Sequence, residues 1–327
     1  MHKKLRFIGI VVVALLLFTG GYIARGSSPV GHFTSAAGRD HFASAYQKAF
    51  VALPQPAATL DLRTTYGLVR VYRFAGAKPG VKPGANPGAA PLMLLPGWAA
   101  SSPMWADNLP SLLRLRTVYT VDLLGEPGGS IQDRPIESHA DQADWLHQII
   151  AALPEPQIHL VGMSFGGWTA TNLVVHRPEK VAGLILIDPA VTFADLPLEV
   201  IVRSLPASVR WLPKSWRDGF NSWTAGGAPV EDSPLADLVE SGMRNYAIQR
   251  PAPARFSAEQ LGGITVPVLV ILAGESVMHD SAEAARTASA ELRHRTVLTY
   301  DGASHAVNGE QPDRIAADVA AFLTATS

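Results

Sequence analysis

The chain has no cysteine in 327 residues. This excludes disulfides, thiolate metal sites, a cysteine nucleophile and lipid attachment through an N-terminal cysteine. Charge is also scarce: 17% of residues are charged, and 27 basic against 28 acidic side chains leave a net charge of −1. Such a balance gives no basic footprint for nucleic acid and no acidic tail, so polyanion partners are not expected. Neither a His-Glu-x-x-His helix nor a Gly-x-x-x-x-Gly-Lys loop is present, and no metal and no cofactor is expected. What the chain does have is apolar bulk, with 47% hydrophobic residues, enough to fill the core of a sizeable globular domain.

The first residues form a separate object. His2, Lys3, Lys4 and Arg6 precede an almost unbroken apolar run over residues 7–24. That length is the lower limit for a membrane span, and the basic flank should stay cytoplasmic. Residues 1–27 are therefore expected to be a signal peptide or membrane anchor, with the remainder extracytoplasmic, either anchored or secreted. Residues 28–59 read as an N-terminal extension with one helix around 42–53, ended by Pro54. Residues 76–90 repeat a Pro-Gly unit three times and predict an exposed loop.

Strand signals recur at 67–74, 91–95, 117–122, 158–161, 182–188, 266–273 and 295–300, with helical stretches between most of them. The later ones are short continuous apolar runs, as in a parallel sheet covered by helices on both faces. An α/β core is thus expected over 60–191 and 263–327. Residues 192–262 interrupt the alternation and carry Trp211, Trp216, Phe220, Trp223 and Tyr246 among several prolines. They predict a helical cap inserted after the sixth sheet strand, its aromatics buried.

The chemistry is concentrated at Gly162-Met163-Ser164-Phe165-Gly166. A buried strand precedes this Gly-x-Ser-x-Gly turn and a helical pattern follows it, the context a nucleophile elbow requires. Ser164 is the candidate nucleophile, and small residues two places on either side admit neighbouring backbone. A serine hydroxyl needs a base. Of ten histidines, His305 follows the final strand just before the last helix and is the candidate, whereas His139, His147, His159, His176 and His294 read as core or surface. An oxyanion would be met by two backbone N–H groups: Phe165 at the start of the helix, and Trp98 in the loop after the strand at 91–95.

Five segments carry a resemblance: Leu94-Leu95-Pro96-Gly97-Trp98, Val121 to Ser130, the elbow, Leu184 to Ala190, and Gly302-Ala303-Ser304-His305 with Glu310-Gln311-Pro312. Over residues 60–327 the chain resembles an α/β-hydrolase of the large esterase, haloperoxidase and C–C hydrolase group. It is similar most of all to small bacterial carboxylesterase-like proteins. The resemblance implies a catalytic triad whose acid lies four residues into a Gly-Glu-x-Asp segment after the penultimate strand. Here that segment is Gly274-Glu275-Ser276-Val277, and valine takes the place of the acid.

Three carboxylates are candidates to replace it. Asp188 ends the strand after the elbow, a position that some relatives, a subset of haloalkane dehalogenases among them, use for the acid. Asp280 is near, but Asp280-Ser281-Ala282-Glu283 has the form of a helix cap. Glu275 would have to reach back from the strand end. A serine at the elbow, rather than a carboxylate, argues against dehalogenase or epoxide hydrolase chemistry. The expectation is a serine hydrolase cleaving a small-molecule carboxylic ester through an acyl-enzyme on Ser164. Alternatives are thioesterase, amidase, C–C hydrolase or perhydrolase chemistry, or a catalytically weakened binding member of the fold.

Overall fold

The computed structural model describes residues 28–76 and 89–326. The expected targeting segment and the Pro-Gly loop, apart from its ends, lie outside the described residues. The strands are β1 His32–Phe33, β2 Ala58–Thr64, β3 Gly67–Phe74, β4 Leu92–Leu95, β5 Val118–Val121, β6 Ile131–Gln132, β7 Ile158–Met163, β8 Val181–Ile187, β9 Tyr246–Ala247, β10 Val268–Ala273 and β11 Arg295–Tyr300. The helices are α1 Ala36–Phe50, α2 Leu109–Leu112, α3 His139–Ala152, α4 Phe165–His176, α5 Leu198–Ser208, α6 Lys214–Thr224, α7 Pro234–Asn245, α8 Ala258–Gly262, α9 Ser281–Glu291, α10 Val307–Glu310 and α11 Pro312–Ala325.

The main sheet runs β11-β10-β8-β7-β4-β5-β3-β2, with β6 beside β3. From β5 to β11 every neighbour is parallel, while β3 is antiparallel to both β5 and β2. Successive residues of the parallel strands feed opposite cores, as the period of two requires. Met93, Leu95, Leu160, Leu184, Leu186, Val270 and Leu272 pack with α3, α4 and α9. Leu92, Leu94, Val161, Ile185, Ile187, Leu269 and Ile271 pack with α2 and α11. Both faces are covered, which is why these strands read as continuous apolar runs.

Strand β2 begins inside the stretch read as an extension. Its alternation of Leu60 and Leu62 with polar residues belongs to an edge strand covered on one side. Helix α1 starts earlier than the pattern around 42–53 suggests, because the Ser35 side chain accepts the Gly38 N–H and caps it there. Phe42, Ala45 and Ala49 pack on Leu238 of α7, and β1 pairs with β9. The N-terminal extension is thereby joined to the segment between β8 and β10.

That segment holds α5, α6, α7, β9 and α8. A buried ion pair, Arg217 to Glu240 at 2.6 Å, ties α6 to α7. Not all its aromatics are buried as expected: Tyr246 is, but Trp211 is 84% and Trp216 50% exposed. Trp211 stands in the connection between α5 and α6, where no other element among the described residues covers it. Trp223 lies under the Arg203 guanidinium, 4.7 Å from ring centroid to Cζ.

Candidate active site

Strand β7 ends at Met163 and α4 starts at Phe165, so the reversal between them falls on one residue, Ser164, with φ 53° and ψ −122°. A non-glycine residue held there costs on the order of 1–3 kcal/mol and persists only where its surroundings impose it. The Ser164 N–H donates to Ile187 O at 3.0 Å, and Ser164 O accepts from Trp168 and Ala190. The flanking glycines follow from space: a Cβ on Gly162 would lie 2.3 Å from Gly166 O, and one on Gly166 would lie 2.1 Å from Leu95 O.

His305 follows β11, the edge strand three places from β7, at the same carboxyl end of the sheet as the elbow. After β11 the chain turns through Gly302 at φ 71°, and Glu310 accepts both the N–H and the hydroxyl of Ser304. This fixes the imidazole with Nε2 at 2.8 Å from Ser164 Oγ. Its Nδ1 lies 2.6 Å from Asp188 Oδ2.

Of the three candidate carboxylates, Asp188 alone is brought to His305. Asp280 instead caps α9, accepting the Glu283 N–H at 2.8 Å. Glu275 is exposed, and its backbone N–H, not its carboxylate, bonds the histidine loop, donating to Ala303 O at 2.9 Å. Val277, at the position the resemblance assigns to the acid, is half-buried.

Asp188 directly follows β8 at φ 41° and is fully buried. Oδ1 accepts from the Ala273 N–H at 2.8 Å and from His279 Nε2 at 2.9 Å. Oδ2 accepts from Ser276 Oγ at 2.6 Å and from His305. Burial opposes the charge, but the hydrogen bonds from His279 and His305 outweigh it and hold the carboxyl well below the usual carboxylate range. With Nδ1–H directed at this carboxylate, His305 presents the Nε2 lone pair to the serine hydroxyl.

The two predicted oxyanion segments meet beside the nucleophile. A Cβ on Gly97 would stand 3.5 Å from Ser164 Cβ, and the Trp98 and Phe165 rings meet edge to face at 6.5 Å. Phe165 N–H is the first of α4, with no carbonyl of its own helix to bond. Neither it nor Trp98 N–H donates to another group among the described residues.

Sequence reasoning missed the groups that hold this loop and the acid. Ala99, at φ 54°, donates its N–H to Glu126 Oε2 at 2.8 Å. Glu126 is buried and paired to Arg250 at 2.6 Å. A separation of 124 residues left no local signal for that pair. His279 and Ser276 did have one: a histidine and a hydroxyl lie in the very loop that lacks its acid. Among the described residues no group of side chains is suited to hold a metal ion.

Comparison with known proteins agrees with this architecture. The model of the alpha/beta hydrolase family matches residues 92–318. Carboxylesterase YbfK of Bacillus subtilis is 26% identical over 239 residues, covering 71% of this chain and 79% of that protein. The carboxylesterase nap of the same organism is 26% identical over 242 residues, 72% of this chain and 79% of that one. The crystal structure of the YbfK carboxylesterase superposes with a TM-score of 0.79 at 24% identity, over 89% of this chain and 99% of its own. Sheet order, elbow and family match together establish that this chain belongs to the alpha/beta hydrolase family.

Proposed function

We propose that the protein is a serine hydrolase that cleaves carboxylic esters through an acyl-enzyme on Ser164. The observation that carries the reading is the chain from Ser164 Oγ to His305 Nε2 at 2.8 Å and from His305 Nδ1 to Asp188 at 2.6 Å. His305 accepts the Ser164 proton as Oγ attacks the ester carbonyl, and Asp188 holds the tautomer and stabilises the imidazolium. The Trp98 and Phe165 N–H groups meet the oxyanion, a donor of this kind being typically worth about 3–4 kcal/mol of barrier. His305 then protonates the leaving alcohol. In the second half it takes a proton from water, whose oxygen attacks the acyl carbon, and gives that proton to Ser164 Oγ as the acyl–oxygen bond breaks and the acid leaves. The carboxylesterase names of the two relatives support an ester over another acyl bond.

Full-length protein and Ser164→Ala are compared on p-nitrophenyl acetate and butyrate, with fluorophosphonate labelling located by peptide mass spectrometry. Ester turnover and a label on Ser164, both lost in the variant, are expected. A folded protein whose Ser164 resists the probe would point to a binding role instead.

The apolar run over residues 7–24, behind its basic cluster, supports placement of the hydrolase outside the cytoplasm on a membrane or in secreted form. Fractionation of cells expressing the full chain and a chain starting at Ser28 checks this. Loss of export in the shorter chain is expected.

A further inference from the structure

The loop between β10 and α9 supplies no acid to His305, yet it reaches the acid by two other groups. Ser276 Oγ stands 2.6 Å from Asp188 Oδ2 and His279 Nε2 2.9 Å from Oδ1. With Ala273 N–H and His305 Nδ1, they present four donors to the two carboxylate oxygens, the full capacity of an ionised carboxyl group. The loop is also sewn to the histidine loop, Gly274 N–H donating to Tyr300 O and Glu275 N–H to Ala303 O, both at 2.9 Å.

His279 is 3% exposed, and its second ring nitrogen, Nδ1, is buried without a hydrogen-bond partner among the described residues. Nε2 faces the carboxylate and so carries the donated proton, whereas a proton on Nδ1 would be a buried N–H with nothing among the described residues to accept it.

A single hydrogen bond from Ala273 N–H to Oδ1 holds the turn of the Asp188 carboxylate about its last side-chain bond only loosely; His279 on Oδ1 and Ser276 on Oδ2 add a donor to each oxygen and narrow the plane that faces His305. We infer that His279, as a neutral Nε2–H donor acting together with Ser276, is a positioning residue that fixes the Asp188 carboxylate against His305. It takes no part in proton transfer. The loop at Val277 thereby serves the relocated acid by orienting it. The inference rests on Asp188 acting as the acid in the proposed hydrolase.

The test uses the full chain in wild-type form and as His279→Gln, which keeps an N–H donor, and His279→Leu, which does not. On p-nitrophenyl butyrate, His279→Leu is expected to lower kcat between about tenfold and a hundredfold with KM nearly unchanged, while His279→Gln stays within about threefold of wild type. The low-field proton NMR signal of the His305–Asp188 hydrogen bond should move in His279→Leu and stay in place in His279→Gln. Unchanged kcat and signal in His279→Leu would overturn the inference, as would equal damage in both variants, which marks mere packing.

Nitrogen NMR of wild-type protein labelled in histidine decides independently of folding in the variants. A neutral His279 protonated on Nε2 at neutral pH is required, and a charged or Nδ1-protonated ring refutes it. If wild type hydrolyses no ester, the functional reading fails, while both NMR measurements still judge His279.

Discussion

Asp122 and Asp188 each follow the last residue of a parallel strand, β5 and β8, and each is fully buried with four donors on its two oxygens. Asp122 receives Ser102 N–H and Oγ at 2.9 and 2.7 Å, Gly129 N–H at 2.7 Å and the Tyr46 hydroxyl at 2.8 Å. All are backbone amides or hydroxyls. Burial and then the Asp122 charge push the Tyr46 hydroxyl far above its usual range, so it stays a donor. Asp188 has one amide, one hydroxyl and two imidazoles. Burial and saturation are thus common to both. The difference lies in where the donors lead: those on Asp122 end in structure, clipping α1 and two loops to β5, whereas one on Asp188 continues through its second nitrogen to a hydroxyl.

The largest effect expected is on turnover. Asp188→Asn should lower kcat on a p-nitrophenyl ester by about 10³–10⁴-fold, since the amide no longer favours the productive imidazole tautomer. Asp122→Asn should leave kcat within about threefold but lower stability by about 3 kcal/mol in denaturant unfolding, because the amide turns N–H groups toward buried donors. Equal losses of turnover in two folded variants would break the comparison.

Acid unfolding sharpens it, provided a histidine is first separated out. Burial, and then the Arg116 charge, lower the pKa of His159 to about 4. Its unfolded pKa is about 6.5, so between these values the unfolded chain binds more protons and stability falls as pH falls, by about 3 kcal/mol across the window. His159→Gln should remove that slope. The contribution of Asp188, whose folded pKa is depressed, is complete above the ordinary carboxylate range and lost as pH falls below it. In the His159→Gln background that later loss should persist, and it should diminish on adding Asp188→Asn.

Smaller effects complete the set. Glu126→Gln strips the charge from the Arg250 pair that anchors Ala99, and kcat should fall about tenfold through a looser oxyanion segment, with KM little changed. Tyr46→Phe removes one donor from Asp122 and should cost about 1 kcal/mol without a kinetic effect. A kinetic loss there would mean that the clip at β5 reaches the chemistry after all.

The parts of the fold legible from sequence were those whose physics is local. A buried parallel strand reads as an apolar run because both faces are covered, and an elbow reads as Gly-x-Ser-x-Gly because one strained turn excludes Cβ atoms on both sides. Strand β2 was harder, its alternation being short and flanked by polar residues. The exposure of Trp211 was not legible at all, since hydrophobicity states what burial would gain and not whether a covering layer exists.

By itself, then, the sequence determined the buried parallel strands, the turn at Ser164 and the position of His305 beyond the last strand, all consequences of short-range sterics and periodicity. Which carboxylate meets that histidine was decided only in three dimensions. Asp188, Glu275 and Asp280 all stand at the ends of neighbouring elements, and the one that meets His305 is the farthest from it along the chain, 117 residues away. Only the side-by-side pairing of β8 with β10 and the fastening of the β10 loop to the β11 loop put one of them, with four donors, within reach of Nδ1.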